Sequence, residues 1–187
     1  MIRTIAPMKK ETDLLLEKVN VRAVQPGDAA ALRLLRLEAL QNNPEAFGED
    51  YEQALERPYS AWEEQVQKNQ GDGDGVIYVA DHEGQLVGMA GVARHTASKM
   101  RHSATVWGVY VQPGWRGHGI AQTLVMSCCG WARGKGLTML RLGVITANRA
   151  AIHCYESRGF RAYGVEPKTF YIDGRYYDLM RMVLELD

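Results

Sequence analysis

Apolar and polar residues alternate along VNVRAV, Val19 to Val24, which predicts a strand with one face buried. Pro26-Gly27-Asp28 breaks the alternation, and Asp28 is placed to cap a helix. The period then lengthens. In AAALRLLRLEALQNN, Leu32, Leu35, Ala39 and Leu40 share one helical face, and Asn42-Asn43-Pro44 ends it. PEAFGEDYEQ reads as an exposed loop, and Ser60 as the cap of a second helix, AWEEQVQKN. VIYVADHEGQLVGMAGVARH holds two β-rich runs around His82-Glu83-Gly84, a hairpin signal, and ATVWGVYV is a third strand. A helix follows from about Gly117 to Arg133, with Ile120, Leu124, Cys128 and Trp131 on its apolar face, and Gly134 and Gly136 end it. MLRLGVI is a strand, NRAAIHCYESRG a short helix capped by Asn148, and FRAYGV and RYYDLMRMVLEL the last strands, joined through Asp173-Gly174. Consecutive strands without an intervening helix imply antiparallel pairs, whereas the strand–helix–strand unit from Ala104 to Ile145 implies a parallel neighbour. The expected fold is therefore a single α/β domain: a mixed, mainly antiparallel sheet of about seven strands flanked by helices on both faces.

Composition narrows the function classes. The chain has 187 residues, enough for one domain with its own core. We read residues 1–18, poor in apolar period, as an N-terminal leader and residues 19–187 as the folded domain. The 22 basic and 22 acidic residues cancel, which argues against nucleic acid as the main partner. No run approaches the roughly 20 apolar residues of a membrane span, and no secretory signal is visible, so a cytoplasmic location is expected. Cys128, Cys129 and Cys154 show no zinc-binding spacing and read as free thiols in a reducing compartment. Gly71-Asp72-Gly73-Asp74-Gly75 lacks the spaced acids and closing Glu of a calcium loop and reads as a flexible turn. No metal is expected.

The chemistry concentrates in VYVQPGWRGHGIAQTL, Val109 to Leu124, a strand that enters a helix through Arg116-Gly117-His118-Gly119. The first N–H groups of a helix have no internal partners, and the helix dipole makes that end positive. Glycine lets an anion approach the backbone without a Cβ clash, so a pyrophosphate is the natural guest. The dinucleotide fingerprint fails because its third glycine position holds Gln122, and the nucleotide-triphosphate loop fails because no Gly-Lys-Ser/Thr follows. By itself the turn leaves two readings open, a phosphate cradle or a tight loop.

Its context resembles a known family. Arg116-Gly117-His118-Gly119-Ile120-Ala121 fits R-x-x-G-x-A after a strand, and NRAAIHCYESRGF, Asn148 to Phe160, is similar to an N-x-x-A-x-x-x-Y-x-x-x-G-F segment. Both resemble the motifs of the GNAT superfamily of N-acetyltransferases, which use acetyl-CoA, and the element order over residues 19–187 resembles that fold. The resemblance implies that the backbone of Val109, Tyr110 and Val111 pairs with the pantetheine arm, as an added strand would. It implies that the amides of Gly117, His118, Gly119, Ile120 and Ala121, with charge from Arg116, hold the pyrophosphate. The sheet is expected to splay between this strand and RLGVI, with an N–H of Val109 or Val111 polarising the thioester carbonyl. Tyr155 falls on the position of the general acid: a phenol with a pKa near ~10 keeps its proton at neutral pH and can protonate the departing thiolate. Asn148 caps its helix and reaches the pantetheine amide.

A general base is not assigned. Some relatives in the family that this chain resembles place a Glu on the strand before the Asn helix; LRLGVITAN has Gly143 and no carboxylate. Glu49, Asp50, Glu52, His95 and His102 are candidates by residue type, and a water chain is the alternative. Phe47, Tyr51, Tyr171, Tyr176 and Tyr177 are aromatic residues that would wall an acceptor pocket or fill core. No His with Asn or Asp stands near the cysteines in sequence, so direct transfer to an amine in a ternary complex is expected rather than an acyl-enzyme. A small-molecule amine is the favoured acceptor. Alternatives are a protein amine and an acyl-CoA-binding regulatory module without catalysis. Homodimers are common in the superfamily, and the strand order permits one.

Overall fold

The computed structural model describes residues 18–187, so all of the expected leader but Lys18 lies outside the described residues. The chain runs β1 (Val19–Ala23), α1 (Ala29–Asn42), α2 (Tyr51–Glu56), α3 (Tyr59–Lys68), β2 (Gly75–His82), β3 (Gln85–Arg94), β4 (Ser103–Val111), α4 (Ile120–Gly134), β5 (Met139–Ile145), α5 (Arg149–Glu156), β6 (Arg161–Ile172) and β7 (Arg175–Glu185). One sheet of seven strands has the order β1-β2-β3-β4-β5-β7-β6. Among the described residues β4 and β5 pair in parallel, and each other neighbouring pair is antiparallel. This is the mixed, mainly antiparallel α/β architecture that the periodicity predicts.

The sheet buries both faces. On one, α4 and α5 cover Val106, Leu140 and Met182 with Leu124, Cys128 and Tyr155. On the other, α1 and α3 lay Leu32, Leu35, Trp62 and Val66 against Ile77, Val79 and Met89. A fully buried aliphatic side chain contributes about 1.5–3 kcal/mol, so these two layers supply the rigidity that the strand ends between them require. The β2–β3 hairpin turns through Glu83 and Gly84 at φ 51° and 91°, and β6–β7 through Asp173 and Gly174 at 48° and 78°. Positive φ at both central residues is the turn whose twist matches a right-handed hairpin.

Four local expectations change. Asp28 ends a one-turn 3-10 segment instead of capping α1 with its side chain. Its carboxylate accepts from Nη1 and Nη2 of Arg22 at 2.6 and 2.9 Å and from the Gln25 N–H at 2.7 Å, and these bonds hold it below the usual carboxylate range. The segment read as an exposed loop contains a 3-10 turn, Pro44–Ala46, and the six-residue α2, whose Ala54 is fully buried. The next helix starts at Tyr59 with Pro58 as its N-cap, so Ser60 lies inside it. Finally α4 begins at Ile120 and not near Gly117, because Gly117 and Gly119 sit at φ 81° and 79°, outside helical space.

Candidate active site

β4 and β5 pair at Ser103–Met139, Ala104–Leu140 and Thr105–Arg141 and then part. β5 stays bonded to β7 along its whole length, while β4 stays with β3. A wedge therefore opens between Val106–Val111 and Leu142–Ile145. Within it β4 carries a bulge: Trp107 faces Gly91 and Tyr110 faces Met89, so Gly108 and Val109 together oppose Ala90. Gly108 takes φ 64°, which L side chains rarely adopt. The Gln112 N–H donates to Val87 at 2.9 Å, fixing the antiparallel alternation so that Val111 aims its N–H and C=O away from β3 and into the wedge. An extended ligand can add there as a strand.

The wedge is the deep end of a cleft of about 600 Å3. Val109, Tyr110 and Val111 form one wall; Arg116, Gly117, Gly119, Ile120 and Ala121 form the turn at one end; Asn148 and Tyr155 come from α5. The structure thus brings together ten of the eleven residues that the motifs single out. His118 is exposed and does not line the cleft, although it lies between the two glycines. The start of α4 carries no side-chain cap, and Gly119 in the left-handed region precedes Ile120. Cβ atoms at Gly117 and Gly119 would meet nothing within 4 Å, and none of the N–H groups from Gly117 to Gln122 donates to a backbone carbonyl. Free N–H groups at the positive end of a fifteen-residue helix make an anion site.

Tyr155 is 7 % exposed, packed edge-on against Phe160 with ring centroids 6.1 Å apart. Burial pushes its phenol above the usual range, with the neighbouring thiols of Cys154 and Cys128 adding to the effect. It therefore holds its proton through the neutral range. Asn148 Oδ1 accepts from the Ala151 N–H at 3.1 Å, which fixes the first turn of α5 and thereby the direction of Tyr155.

Arg116 lines the cleft beside the turn and is also bonded within the chain. Its Nε donates to the Val111 carbonyl at 2.9 Å and its Nη2 to Asn43 Oδ1 at 3.0 Å, with the guanidinium 5.6 Å from the Tyr110 ring centre. It straps the end of α1 to the β4 edge. Glu38 strengthens the strap, accepting from the Tyr110 hydroxyl at 2.9 Å and from Gln112 Nε2 at 2.7 Å. Asn43, Glu45 and Phe47 also line the cleft. Sequence reading missed Glu38, Asn43 and Glu45 as site residues. Asn43 and Glu45 fall in NNPEAFGEDYEQ, whose equivalent borders the acceptor pocket in the family that the motifs resemble, although neither residue stands out there by itself, and nothing local paired Glu38 with residues more than seventy positions on.

The five candidate bases lie elsewhere. Glu49 accepts from Arg36 Nε and Nη2 at 3.0 and 2.8 Å, while that guanidinium stacks 4.5 Å from the Phe47 ring centre. His95 Nε2 is 3.1 Å from Thr105 Oγ1 at the paired end of β4, and His102 is exposed in the turn before it. Asp50 and Glu52 are exposed, and none of the five lines the cleft. A Cβ at Gly143 would meet the side-chain ends of Leu179, Cδ2 at 2.9 Å, and Arg181, Nη1 at 3.2 Å, so a side chain there requires those two to shift, and β5 itself offers no carboxylate. Of the aromatic residues, Phe47 lines the cleft, Tyr51 packs on the α1–α3 core, and Tyr171 and Tyr176 stack on each other at the exposed β6–β7 turn. The three cysteines are free and buried, and burial raises their thiols, which disfavours thiolate formation.

Known proteins resemble this chain in sequence and in fold. The mycothiol acetyltransferase of Thermobispora bispora is 28% identical over 155 residues, covering 81% of this chain and 50% of its own length. The first curated relatives are thus about twice as long as the part this chain spans. Among solved structures, the ribosomal-protein-alanine N-acetyltransferase of Brucella melitensis superposes with a TM-score of 0.77 at 27% identity, covering 89% of this chain and 99% of that one. The yncA protein of Salmonella typhimurium, solved with its cofactor acetyl-CoA, gives 0.75 at 25% identity, covering 90% and 94%. No described helix is long and apolar enough to cross a membrane. Residues 30–160, well over half of the chain, match the model of the acetyltransferase (GNAT) family, and the chain belongs to that family.

Proposed function

We propose that this protein, through residues 19–187, transfers an acetyl group from acetyl-CoA to a primary amine by direct attack in a ternary complex. The observation that carries this reading is the meeting, in one cleft, of the open α4 N-terminus, the unpaired edge of β4 and the buried phenol of Tyr155. The amides of Gly117 to Ala121 hold the pyrophosphate. The Val109–Val111 edge takes the pantetheine arm, which lays the thioester in the wedge. An N–H in the bulged stretch, that of Val109 or Val111, stabilises the oxyanion as the amine adds; one such donor is worth about 10²–10³ in rate. Tyr155 then protonates the departing sulfur, and its raised pKa keeps the donor loaded at neutral pH.

A small-molecule amine is the preferred acceptor. The loop after α1 approaches the last hairpin, where a Cβ on Gly48 would stand 3.6 Å from the Phe170 ring, and the Pro44–Ala46 turn at its start packs on β5 and β6. A protein amine is the alternative acceptor. The absence of a carboxylate from β5, with glycine at position 143, favours a second reading, an acyl-CoA-binding module without catalysis. Free-thiol release from acetyl-CoA across a panel of primary amines separates the two. Amine-dependent release supports the transferase; tight acetyl-CoA binding by calorimetry with no release for any amine supports the binding module.

A further inference from the structure

The attacking amine enters as an ammonium and must lose a proton, yet β5 carries no carboxylate and the candidate bases stand outside the cleft. Glu45 stands inside it. It lies in the Pro44–Ala46 turn, which packs against β5 and β6 and so reaches across the parted strands. The segment is tied down on both sides: Asn43 bonds Arg116, and Phe47 lies under Arg36, whose Nη1 is 3.9 Å from a Cβ built on Gly108 in the bulge. Glu45 thus lines the cleft from a segment whose two flanks are fixed. It is the one carboxylate among the cleft-lining residues.

Resting on the acetyltransferase reading, we propose that Glu45 is the group that receives the acceptor: its carboxylate binds the ammonium and takes the first proton. The other titratable groups lining the cleft fit less well. His153 sits two residues before Tyr155 on α5, about 200° around the helix, and is exposed. Arg116 is a cation bonded to Val111 and Asn43. Tyr110 gives its hydroxyl to Glu38, and Cys154 is buried on α5. From β6 and β7, Glu166 is engaged by Arg181, Lys168 Nζ lies 5.2 Å from the Tyr176 ring centre, and Asp178 accepts from the Lys168 N–H.

The step balances. The ammonium gives one proton to Glu45, and the freed nitrogen lone pair forms the C–N bond to the thioester carbonyl. The C–S bond breaks, and the sulfur takes the Tyr155 proton. The second nitrogen proton passes through solvent to restore Tyr155, and Glu45 releases its own to solvent.

Two arms test this, using wild-type protein, Glu45→Gln, Glu45→Asp and the exposed control Glu52→Gln. In the kinetic arm, with a panel of an alkylamine, a diamine, an α-amino acid and an α-amino amide, Glu45→Gln lowers kcat/KM by about 10²-fold. Acetyl-CoA affinity is unchanged, Glu45→Asp recovers part of the rate, and Glu52→Gln matches wild type. In the binding arm, calorimetry with the same amines and saturating CoA shows binding to wild type that weakens at least about tenfold, or 1.4 kcal/mol, in Glu45→Gln. Equal kinetics and equal amine binding in wild type and Glu45→Gln overturn the assignment, as does an absence of amine binding to wild type. If no panel amine is acetylated but wild type binds one of them through Glu45, the transferase reading fails while the Glu45 site stands.

Discussion

Two helices begin at the same cleft and start in opposite ways. α5 is satisfied from within: Asn148 precedes it and its side chain accepts the Ala151 N–H. α4 is left open: Gly119 precedes it in the left-handed region, and no side chain caps it. A capped end has spent its donors and fixes a direction, here that of Tyr155 across the wedge. An uncapped end keeps its donors and its positive field for something outside the chain. The one is built to aim a side chain and the other to hold an anion.

That contrast breaks most severely at Tyr155. Tyr155→Phe should lower kcat by about 10²-fold or more while acetyl-CoA binding, measured by calorimetry, stays close to wild type. Unchanged turnover across pH would remove the acid role. Next comes the open end. Gly119→Val forces a β-branched residue to positive φ at a cost of roughly 1–2 kcal/mol, a factor of roughly 5 to 30. The loss should appear in acetyl-CoA affinity more than in kcat at saturation. Rising salt should weaken the same affinity in wild type, since a helix-end charge is screened.

The capped end gives a smaller effect of another kind. Asn148→Ala removes about 1 kcal/mol of helix capping and should lower the melting temperature by roughly 2–4 °C, whereas Asn148→Asp retains the cap and most of the stability. An acetyl-CoA affinity loss exceeding that stability change would show the side chain also bonding pantetheine. The smallest effect concerns pH. Burial raises Tyr155 and the thiols of Cys128, Cys129 and Cys154, so the folded chain binds those protons more tightly than the unfolded chain does. Their contribution is complete below the unfolded thiol value of about 8.5 and is lost as pH rises above it, the tyrosine part beginning near ~10. Urea midpoints should be flat below that range and fall above it, and Cys128→Ala should flatten part of the fall.

The same two helix starts show what sequence conveys. Asn148 and Tyr155 share one short helix, so spacing alone places cap and phenol together. The glycine turn was legible as an anion site, but its sign as a helix boundary was not: the chain had to put Gly117 and Gly119 at positive φ to delay the helix to Ile120. α2 was missed because six residues cannot hold a helix by periodicity, and its burial of Ala54 depends on α1. β6 runs beyond FRAYGV to Ile172 despite Pro167 and the positive φ of Lys168, which an edge strand tolerates because one side needs no partner. Glu38 was invisible and Glu45 was legible only as part of its loop, for a different reason. Their roles depend on which distant segment the fold lays beside them.

The central claim is that the open start of α4 and the unpaired edge of β4 form one acetyl-CoA site ending at Tyr155. A crystal structure of the protein with acetyl-CoA tests it most directly. The account predicts pyrophosphate oxygens within hydrogen-bond distance of the amides between Gly117 and Ala121, the pantetheine arm paired along Val109 to Val111, and the sulfur beside the Tyr155 hydroxyl. A cofactor bound with its pyrophosphate away from that turn, or its thioester outside the wedge, would contradict it.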